Sequence, residues 1–446
     1  MAELTGRRRF QHLFRRAGFG ATLAEVDAAL SAHANEDIAF SMAVDSLLNY
    51  GSVTEVTDQV TIDTNSKDSL IKWWLDRMMR TRRPLLEKMV LFWHDHFATS
   101  FDKDGIDVPK MQRQNELLRT LAMEQLGTLL NAVSRDPAMM IWLDLTLNRK
   151  NSPNENYARE VMELFALGVG TPNDPNYTEN DIRQATKAFT GYTINANGDW
   201  QLNAAQHDST TKVVLGVSCE SGDQVHAILV NYVKNGRNVS AHFLTAKLFS
   251  WFAYPVTVDD AVVTRLAPGF VANSHSVRWL VEQILKSPEF SSNTAYRGLI
   301  KSPVEAATQA LRILGAERIP NSGVLSRLTE QGMRLFHPPD VSGWPSGSGW
   351  INASTVLSRC NMGASIVNSM GKTAATEAGG PTVASIIAGQ PTATAKVDLI
   401  LAMLVDGNVN ASTRDALIAY ANGATTDEKI RGLFNMMLAL PAQQLN

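Results

Sequence analysis

The chain has 446 residues, of which 44% are apolar and 19% charged, and its formal net charge at pH 7 is −3. This balance is ordinary for a globular protein and excludes an intrinsically disordered chain. The small net charge excludes a strong overall attraction to nucleic acid or to an anionic membrane surface, and no apolar run approaches the ~20 residues that span a bilayer.

The first residues and the cysteines bear on the cellular compartment. The opening segment MAELTGRRRFQHLF is charged and then amphipathic, without the apolar stretch of a signal peptide. Cys219 and Cys360 are far apart in the sequence, which favours a reducing compartment over a disulfide framework, although one bridge between them stays open. We therefore predict a cytoplasmic protein, with export to the periplasm or beyond as the alternative if a targeting segment was removed.

Helical signals recur along most of the chain as apolar stripes with a spacing of three or four residues. Several of these stripes have a start signal, such as a capping box, a serine cap or a proline in the first turn. The predicted helices cover 10–17, a segment capped by Thr22 and Glu25, 66–80, 84–97, and a segment that starts at Ser302-Pro303-Val304-Glu305, runs to Leu314 and stops at Gly315.

One stretch departs from this helical pattern. Residues 192–202 read YTINANGDWQL, two short alternating runs around Asn197-Gly198, which predicts a β-hairpin. Residues 213–215 could add a third strand. The predicted fold is therefore mainly α, a multi-helix globular body resembling a bundle, with a small β-hairpin or short-strand insertion near 192–216.

Composition also suggests domain boundaries. Residues 371–395 are low in charge and rich in Gly, Ala, Thr and Pro, which predicts a loop or linker. We predict a main helical domain over 1–370, this loop, and a C-terminal helical segment over 396–446 that packs on the main body.

Two histidines occur in the segment WHDHF, residues 93–97. On a helix that starts near Leu85, His96 falls on the apolar face and His94 on the opposite side, so the two are not a ready-made chelate. Both are candidate metal ligands, and His96 is also a candidate proton carrier. The alternative is a core histidine satisfied by a carbonyl or a carboxylate.

Residues 154–165 place acidic groups beside a buried stripe. Glu160 and Glu163 lie one helical turn apart at the margin of the core, which is unfavourable unless they are protonated, paired or metal-bound. They are candidate catalytic acid/base residues, and Glu155 is a candidate metal ligand. The alternative is a salt-bridge network with Arg159 or with arginines of other helices.

Lys247 lies in an apolar helical row with Phe243 and Trp251. It must extend its amine to water, pair with a carboxylate or have a depressed pKa. It is the third catalytic candidate, although pairing is the simpler expectation. His207 and Asp208 follow the predicted hairpin and could ligate a divalent metal or orient a base, but such dipeptides also occur by chance.

The remaining candidates are surfaces. The proline-rich loop 336–353 contains Trp344 and Trp350, which could stack a sugar or a peptide, or fold back to close the core. The basic run 72–83 is either an anion-binding surface or a solvated helix face. The signatures of serine hydrolases, P-loop enzymes, dinucleotide-binding folds and zincins are missing from the sequence, which disfavours the common forms of those reaction classes.

Seven blocks of the sequence are long enough to be specific. They are HLFRRAGFGAT (12–22), LLEKMVLFWHDHFATS (85–100), NENYAREVMELFALGVG (154–170), YTENDIRQATKAFTGY (177–192), HDSTTKVVLG (207–216), KSPVEAA (301–307) and LFHPPDVSGWPSGSGWIN (335–352). Together they resemble a bacterial family known as domain of unknown function 1800, over nearly the whole chain. The resemblance implies no agreed activity, cofactor or catalytic residue. It does imply frequent export and a sulfatase-like protein, encoded nearby, as a partner.

Two hypotheses about function follow. The first is an enzyme or ligand-binding protein with a polar pocket that could include a divalent metal, assembled from the helices around 93–97 and 154–165 and the His207-Asp208 loop. The second is a structural or interaction protein that acts with an exported partner, without catalysis, in which the same residues form buried ion pairs.

Overall fold

The computed structural model describes residues 3–321 and 323–446. This part of the chain contains 21 α-helices and eight short β-strands, which confirms the prediction of a mainly α fold. The helices are α1 (Gly6–Arg16), α2 (Leu23–Leu30), α3 (Glu36–Leu48), α4 (Lys67–Arg80), α5 (Pro84–His96), α6 (Val108–Leu121), α7 (Leu126–Val133), α8 (Pro137–Trp142), α9 (Asn156–Glu160), α10 (Glu179–Ala188), α11 (Gly222–Asn231), α12 (Val239–Phe252), α13 (Ala261–Ala272), α14 (Val277–Leu285), α15 (Pro303–Leu314), α16 (Val324–Glu330), α17 (Ala353–Ser369), α18 (Val383–Ile386), α19 (Ala393–Val405), α20 (Ala411–Asn422) and α21 (Asp427–Leu438).

The strands form four separate two-stranded antiparallel sheets. They are β1 (Gly170–Thr171) with β2 (Asp174–Pro175), β3 (Tyr192–Ile194) with β4 (Trp200–Leu202), β5 (Lys212–Val214) with β6 (Val217–Cys219), and β7 (Val233–Lys234) with β8 (Arg237–Asn238). The pair β3–β4 confirms the predicted hairpin, and Gly198 in its turn has a φ of +81°. The predicted third strand overlaps β5, which pairs with β6 in a second hairpin instead of extending the first.

The described residues divide into two compact units. Unit 1 consists of the described residues of 1–88, 285–335 and 345–446, and unit 2 consists of residues 89–284 and 336–344. Helix α5 contributes residues 84–88 to unit 1 and residues 89–96 to unit 2. Both units are therefore discontinuous in sequence, and the short segment 336–344 belongs with residues far upstream of it.

Unit 1 shows how closely some helix ends follow their local signals. The Ser302 side chain accepts the Glu305 N–H, Pro303 occupies the first turn of α15, and Gly315 ends the helix with a φ of +77°. Each of these features was predicted from the sequence, as was the Thr22 capping box of α2. The segment 371–395, predicted as a loop or linker, contains helix α18, which packs against α21.

Unit 2 contains a local departure from α-helical geometry. Helix α9 is followed directly by a π-helical segment, Val161–Ala166, in which the Leu167 N–H donates to Met162 O at 3.0 Å. π-Helical turns are uncommon and are found frequently at functional sites. The segment places the buried Phe165 beside α5, where its carbonyl group contacts His96.

The helices and the two cysteines bear on the predictions about membranes and disulfides. Across residues 3–321 and 323–446, none of the helices combines the length and the apolar character that crossing a lipid bilayer requires. Both cysteines are free thiols, Cys219 in unit 2 and Cys360 in unit 1.

Candidate functional site

His94, near the end of α5, holds the start of the loop 336–344. Its Nε2 accepts a hydrogen bond from the Phe336 N–H at 3.1 Å, and Phe336 O accepts one from the Phe101 N–H at 2.9 Å. Phe336 has a φ of +63°, a left-handed backbone conformation that is unfavourable for a bulky residue. Burial, and then His337, lowers the pKa of His94 to about 3, so its imidazole is neutral and Nε2 is free to accept this bond.

Asp95 holds the other end of the same loop. Its Oδ1 accepts the backbone N–H of Trp344 at 2.8 Å. Gly343 has a φ of +90°, and a Cβ at that position would lie 2.4 Å from Asp95 Oδ1 and 2.7 Å from Asp95 O, so this close approach requires glycine. Burial raises the pKa of Asp95 to about 6, although the Trp344 N–H and Lys247 act in the opposite direction.

Lys247, on α12, is the cation that interacts electrostatically with Asp95. Its Nζ lies 5.3 Å from the centroid of the Phe243 ring, and among the described residues it has no hydrogen bond or direct ion pair. The residue is half-buried, so its amine is not sealed from solvent. Burial lowers the pKa of Lys247, and the opposing effect of Asp95 is smaller. The direct ion pair that was the simpler expectation is therefore not formed.

His96 is a core histidine whose ring is only partly satisfied. Its Nε2 donates to Phe165 O at 3.1 Å, which matches the alternative in which a carbonyl group satisfies it. Its Nδ1 is buried and has no hydrogen-bond partner in the part of the chain that the structure describes. Burial, and then Lys247, holds the pKa of His96 well below its usual value. The imidazole is therefore neutral, and Nδ1 is an acceptor without a donor.

We refer to Asp95, His96, Phe243, Lys247 and Trp344 as the Asp95–Lys247 site, and all five residues belong to unit 2. Within the described residues, the site combines an amine without a direct partner, a carboxyl group whose pKa is raised to about 6, and two buried nitrogen atoms without partners, Nδ1 of the histidine and Nε1 of the tryptophan. Unpaired polar groups are unfavourable in a protein interior. We therefore take these five residues as the candidate functional site of unit 2.

Glu160 and Glu163 form a separate acidic cluster on α9 and the π-helical segment. Burial, and then Glu163, raises the pKa of Glu160. Glu163 Oε2 accepts the Tyr177 hydroxyl at 3.1 Å. Arg159 is directed to Glu155, with an N···O distance of 2.7 Å. The salt-bridge alternative therefore describes Glu155, whereas Glu160 is a carboxylate in an unfavourable environment.

His207 and Asp208 form a tightly bonded turn after the first hairpin. His207 Nδ1 donates to Thr190 O at 2.8 Å, and the Asp208 N–H donates to Thr190 Oγ1 at 2.8 Å. Asp208 Oδ1 accepts the Thr210 N–H at 2.9 Å, and Asp208 O accepts the Lys212 amine. These contacts explain both residues as parts of the turn, without a ligand.

The metal candidates are not assembled into one ligand set. Within residues 3–321 and 323–446, no group of three or more His, Cys, Asp or Glu side chains is arranged to hold a metal ion. The candidates from the sequence were His94, His96, Glu155, His207 and Asp208. Their contacts are the separate ones described above, and divalent-metal binding stays a prediction.

Trp344 and Trp350, predicted as aromatics for a ligand or partner surface, are both buried, with exposed fractions of 7% and 4%. The Trp344 ring lies 5.4 Å from that of His94 in unit 2. Trp350 belongs to unit 1, where its carbonyl oxygen accepts the Thr355 hydroxyl at 3.0 Å. Both rings therefore close the core, as in the alternative considered from the sequence, and neither offers an exposed stacking surface.

Sequence reasoning did not select Asp95 or Gly343. Asp95 stands between two histidines that were selected, but its environment depends on Trp344, which lies 249 positions further along the chain. Gly343 is one of several glycines in a turn-rich loop, and a glycine there is a general signal of close backbone approach. That signal does not say which helix the loop approaches.

The fold and the site define a mainly α protein with a candidate small-molecule site on one of its two units. A model of the family described as "Protein of unknown function (DUF1800)" matches residues 12–445, and the chain belongs to this family. No curated protein and no solved structure matches the chain. The family description carries no activity, so a function has to be argued from the site.

Proposed function

We propose that this chain is an enzyme or ligand-binding protein whose ligand carries a carbonyl group and binds at the Asp95–Lys247 site. The observation that carries the proposal is the Lys247 amine, which is half-buried beside an aromatic ring and has no direct partner among the described residues. A lysine with a purely structural role usually pairs with a carboxylate or extends its amine fully into water. Lys247 does neither.

The amine and the nearby carboxyl group suit imine formation. A neutral lysine amine attacks a carbonyl carbon to give a carbinolamine, and loss of water then gives an imine to Nζ. Burial favours the neutral amine because it lowers the pKa of Lys247. Asp95, with a pKa of about 6, would donate a proton to the departing hydroxyl and take one back from the imine nitrogen.

Reductive trapping tests this proposal directly. The full chain is incubated with glyoxylate or a short aldehyde in the presence of cyanoborohydride, and the labelled lysines are located by peptide mass spectrometry. Because burial lowers the pKa of Lys247 and so increases the neutral fraction of its amine, we expect Lys247 to be labelled faster than Lys372. Lys372 is the matched control because 53% of its side chain is exposed.

Two variants separate the roles within the site. Lys247→Arg keeps a positive charge and should lose the label at this position while its circular dichroism is unchanged. Asp95→Asn keeps the size of the side chain and should slow the labelling of Lys247 and remove the titration near pH 6 from its rate profile. If Lys247 is labelled no faster than Lys372, the proposal is wrong.

A structural or interaction protein is the second candidate. It is favoured by other polar residues of unit 2 that already have hydrogen-bond partners within the chain. His207 Nδ1 donates to the carbonyl group of Thr190, and His94 Nε2 accepts the N–H of Phe336, so both contacts are made to backbone groups. Under this reading Lys247→Met would be tolerated or stabilising, and no carbonyl compound would label the site selectively. The sulfatase-like partner implied by the family resemblance would then be expected to copurify with the chain.

Two other expectations from the sequence have simple tests. Metal analysis of protein purified without a histidine tag would detect a bound divalent ion. Fractionation of the producing cells would distinguish the cytoplasmic location that we propose from export.

A further inference from the structure

Unit 1 contains a cavity that is independent of the Asp95–Lys247 site. It has a volume of about 530 Å³ and is lined by residues of α1, α2, α3 and the turn 82–84. Most of its wall is apolar and built from small side chains, including Ala21, Ala28, Ala29 and Ala43. This volume and this lining are typical of sites for small molecules.

One part of the lining is strongly basic. Arg82, Arg83 and Arg312 line the cavity together with a single acidic residue, Glu25. Glu25 is already engaged, since its Oε2 accepts the Thr22 N–H at 2.7 Å in the capping box of α2. The charged side chains that line the cavity therefore carry a net positive charge, and they lie beside an apolar wall.

The three guanidinium groups differ in how far they are engaged. Arg83 Nε donates to Val53 O at 2.8 Å, and Arg312 Nη1 donates to Thr81 O at 2.8 Å. Arg312 Nε is buried without a partner, and the exposed Arg82 side chain makes no hydrogen bond to the part of the chain that the structure describes. Arg312 Nη2 also lies 3.9 Å from Glu25 Oε1. Arg82 therefore retains its donors for an anion, and Arg312 adds a second positive charge to the same part of the lining.

We propose that this cavity binds an amphipathic monocarboxylate, with its alkyl chain against the alanine-rich wall and its carboxylate on Arg82 and Arg312. The alkyl chain would also cover Met42, which lines the cavity and is 46% exposed. The basic run 72–83, which the sequence left open between an anion-binding surface and a solvated face, thus contributes one residue of the head-group site.

Dodecanoate, kept below its critical micelle concentration, is the probe, and isothermal titration calorimetry of the full chain is the measurement. We expect one saturable site per chain. Because a charge-assisted hydrogen bond contributes about 1.5–3 kcal/mol, 1-dodecanol should bind at least about tenfold more weakly, and so should dodecanoate to Arg82→Ala. Arg414→Ala is the control, since it removes a partly exposed arginine of the same unit outside the cavity and should change nothing.

A second variant tests the apolar wall. Ala28 is exposed on α2, so Ala28→Trp is compatible with the fold and should block the cavity and abolish dodecanoate binding. Lys247→Arg should bind dodecanoate as the parent chain does, which separates this site from the proposed imine chemistry. Absence of saturable binding, equal affinity for dodecanol, or unchanged binding in both Arg82→Ala and Ala28→Trp would overturn the proposal.

Discussion

Replacing Glu305 by glutamine would measure how much one buried ion pair contributes to unit 1. The Glu305 carboxylate accepts the Ser302 N–H at 2.8 Å, the Asn446 side-chain amide at 2.8 Å, and the Lys88 amine. Lys88 is only 1% exposed. Glutamine keeps the size of the side chain and an oxygen acceptor, but Lys88 loses the carboxylate that balances its charge.

The size of the effect follows from the pKa of the carboxyl group. Burial pushes the pKa of Glu305 upward, but Lys88 and the Ser302 hydrogen bonds outweigh burial and lower it from 4.5 to about 2. A carboxylate with a lowered pKa stabilises the fold when it is ionised, so its contribution is complete above pH 4.5 and is lost as the pH falls toward 2. The difference corresponds to about 3 kcal/mol, at the lower end of the roughly 3–5 kcal/mol lost when one partner of a buried pair is removed.

Urea unfolding at pH 7, followed by tryptophan fluorescence, is the assay. We expect Glu305→Gln to lower the free energy of unfolding by about 3 kcal/mol, and this difference should shrink as the pH falls below 4.5. Adding Lys88→Met should recover part of the loss, because burial already lowers the pKa of Lys88 and methionine carries no charge to desolvate.

The control is an exposed pair in the same unit. Asp398 pairs with Arg414 at 2.7 Å, with exposed fractions of 47% and 38%, so Asp398→Asn should cost less than about 1 kcal/mol. A similarly small loss for Glu305→Gln would refute the account of a buried pair that stabilises unit 1.

Three further predictions concern unit 2. Gly343→Ala would place a Cβ 2.4 Å from Asp95 Oδ1 and should lower the free energy of unfolding by about 2–3 kcal/mol. The control is Gly347→Ala in unit 1, where no described atom lies within 4 Å of the added carbon, and it should lose only about 1 kcal/mol in the same urea titration. Glu160→Gln should raise the melting temperature at pH 7, since removing the repulsion by Glu163 is worth about 0.5 kcal/mol; a lower melting temperature would mean that Glu160 has a stabilising partner. The pKa of Asp95 is raised from 3.8 to about 6, so the protonated carboxyl group stabilises the fold at low pH. As the pH rises from 3.8 to 6, the free energy of unfolding of the parent chain should therefore fall relative to that of Asp95→Asn, by at most about 3 kcal/mol. Parallel pH profiles of the two chains would contradict the shift.

Features that depend on neighbouring residues could be predicted from the sequence. The start of α15 needs only Ser302, Pro303 and Glu305, and the β3–β4 hairpin needs only Asn197-Gly198 between alternating runs. The π-helical segment 161–166 could not be predicted in this way, because the pattern at 154–165 fits a continuous α-helix. The extra residue in that turn depends on packing between elements, such as the contact of Phe165 O with α5.

The candidate site was predicted only in part for the same reason. His96 and Lys247 stand out in the sequence because a polar side chain interrupts an apolar stripe. Their surroundings depend on residues far away in the chain, since His96 Nε2 donates to the carbonyl group of Phe165, 69 positions further along. Periodicity in the sequence shows which side chains point toward the core, but it does not show which hydrogen-bond partners they meet there.

A polar residue on an apolar stripe indicates a functional site only when the fold leaves its hydrogen-bonding groups unsatisfied. His94 was selected as a candidate metal ligand, yet its Nε2 accepts the N–H of Phe336, whose backbone is strained, and the burial that keeps its imidazole neutral makes it a suitable acceptor. Lys247 has no equivalent contact, and the carboxyl group that acts on it is held by the loop that His94 anchors. The two residues therefore differ within one arrangement: His94 fixes the loop that positions Asp95, and Lys247 supplies the amine on which the proposed ligand binding depends.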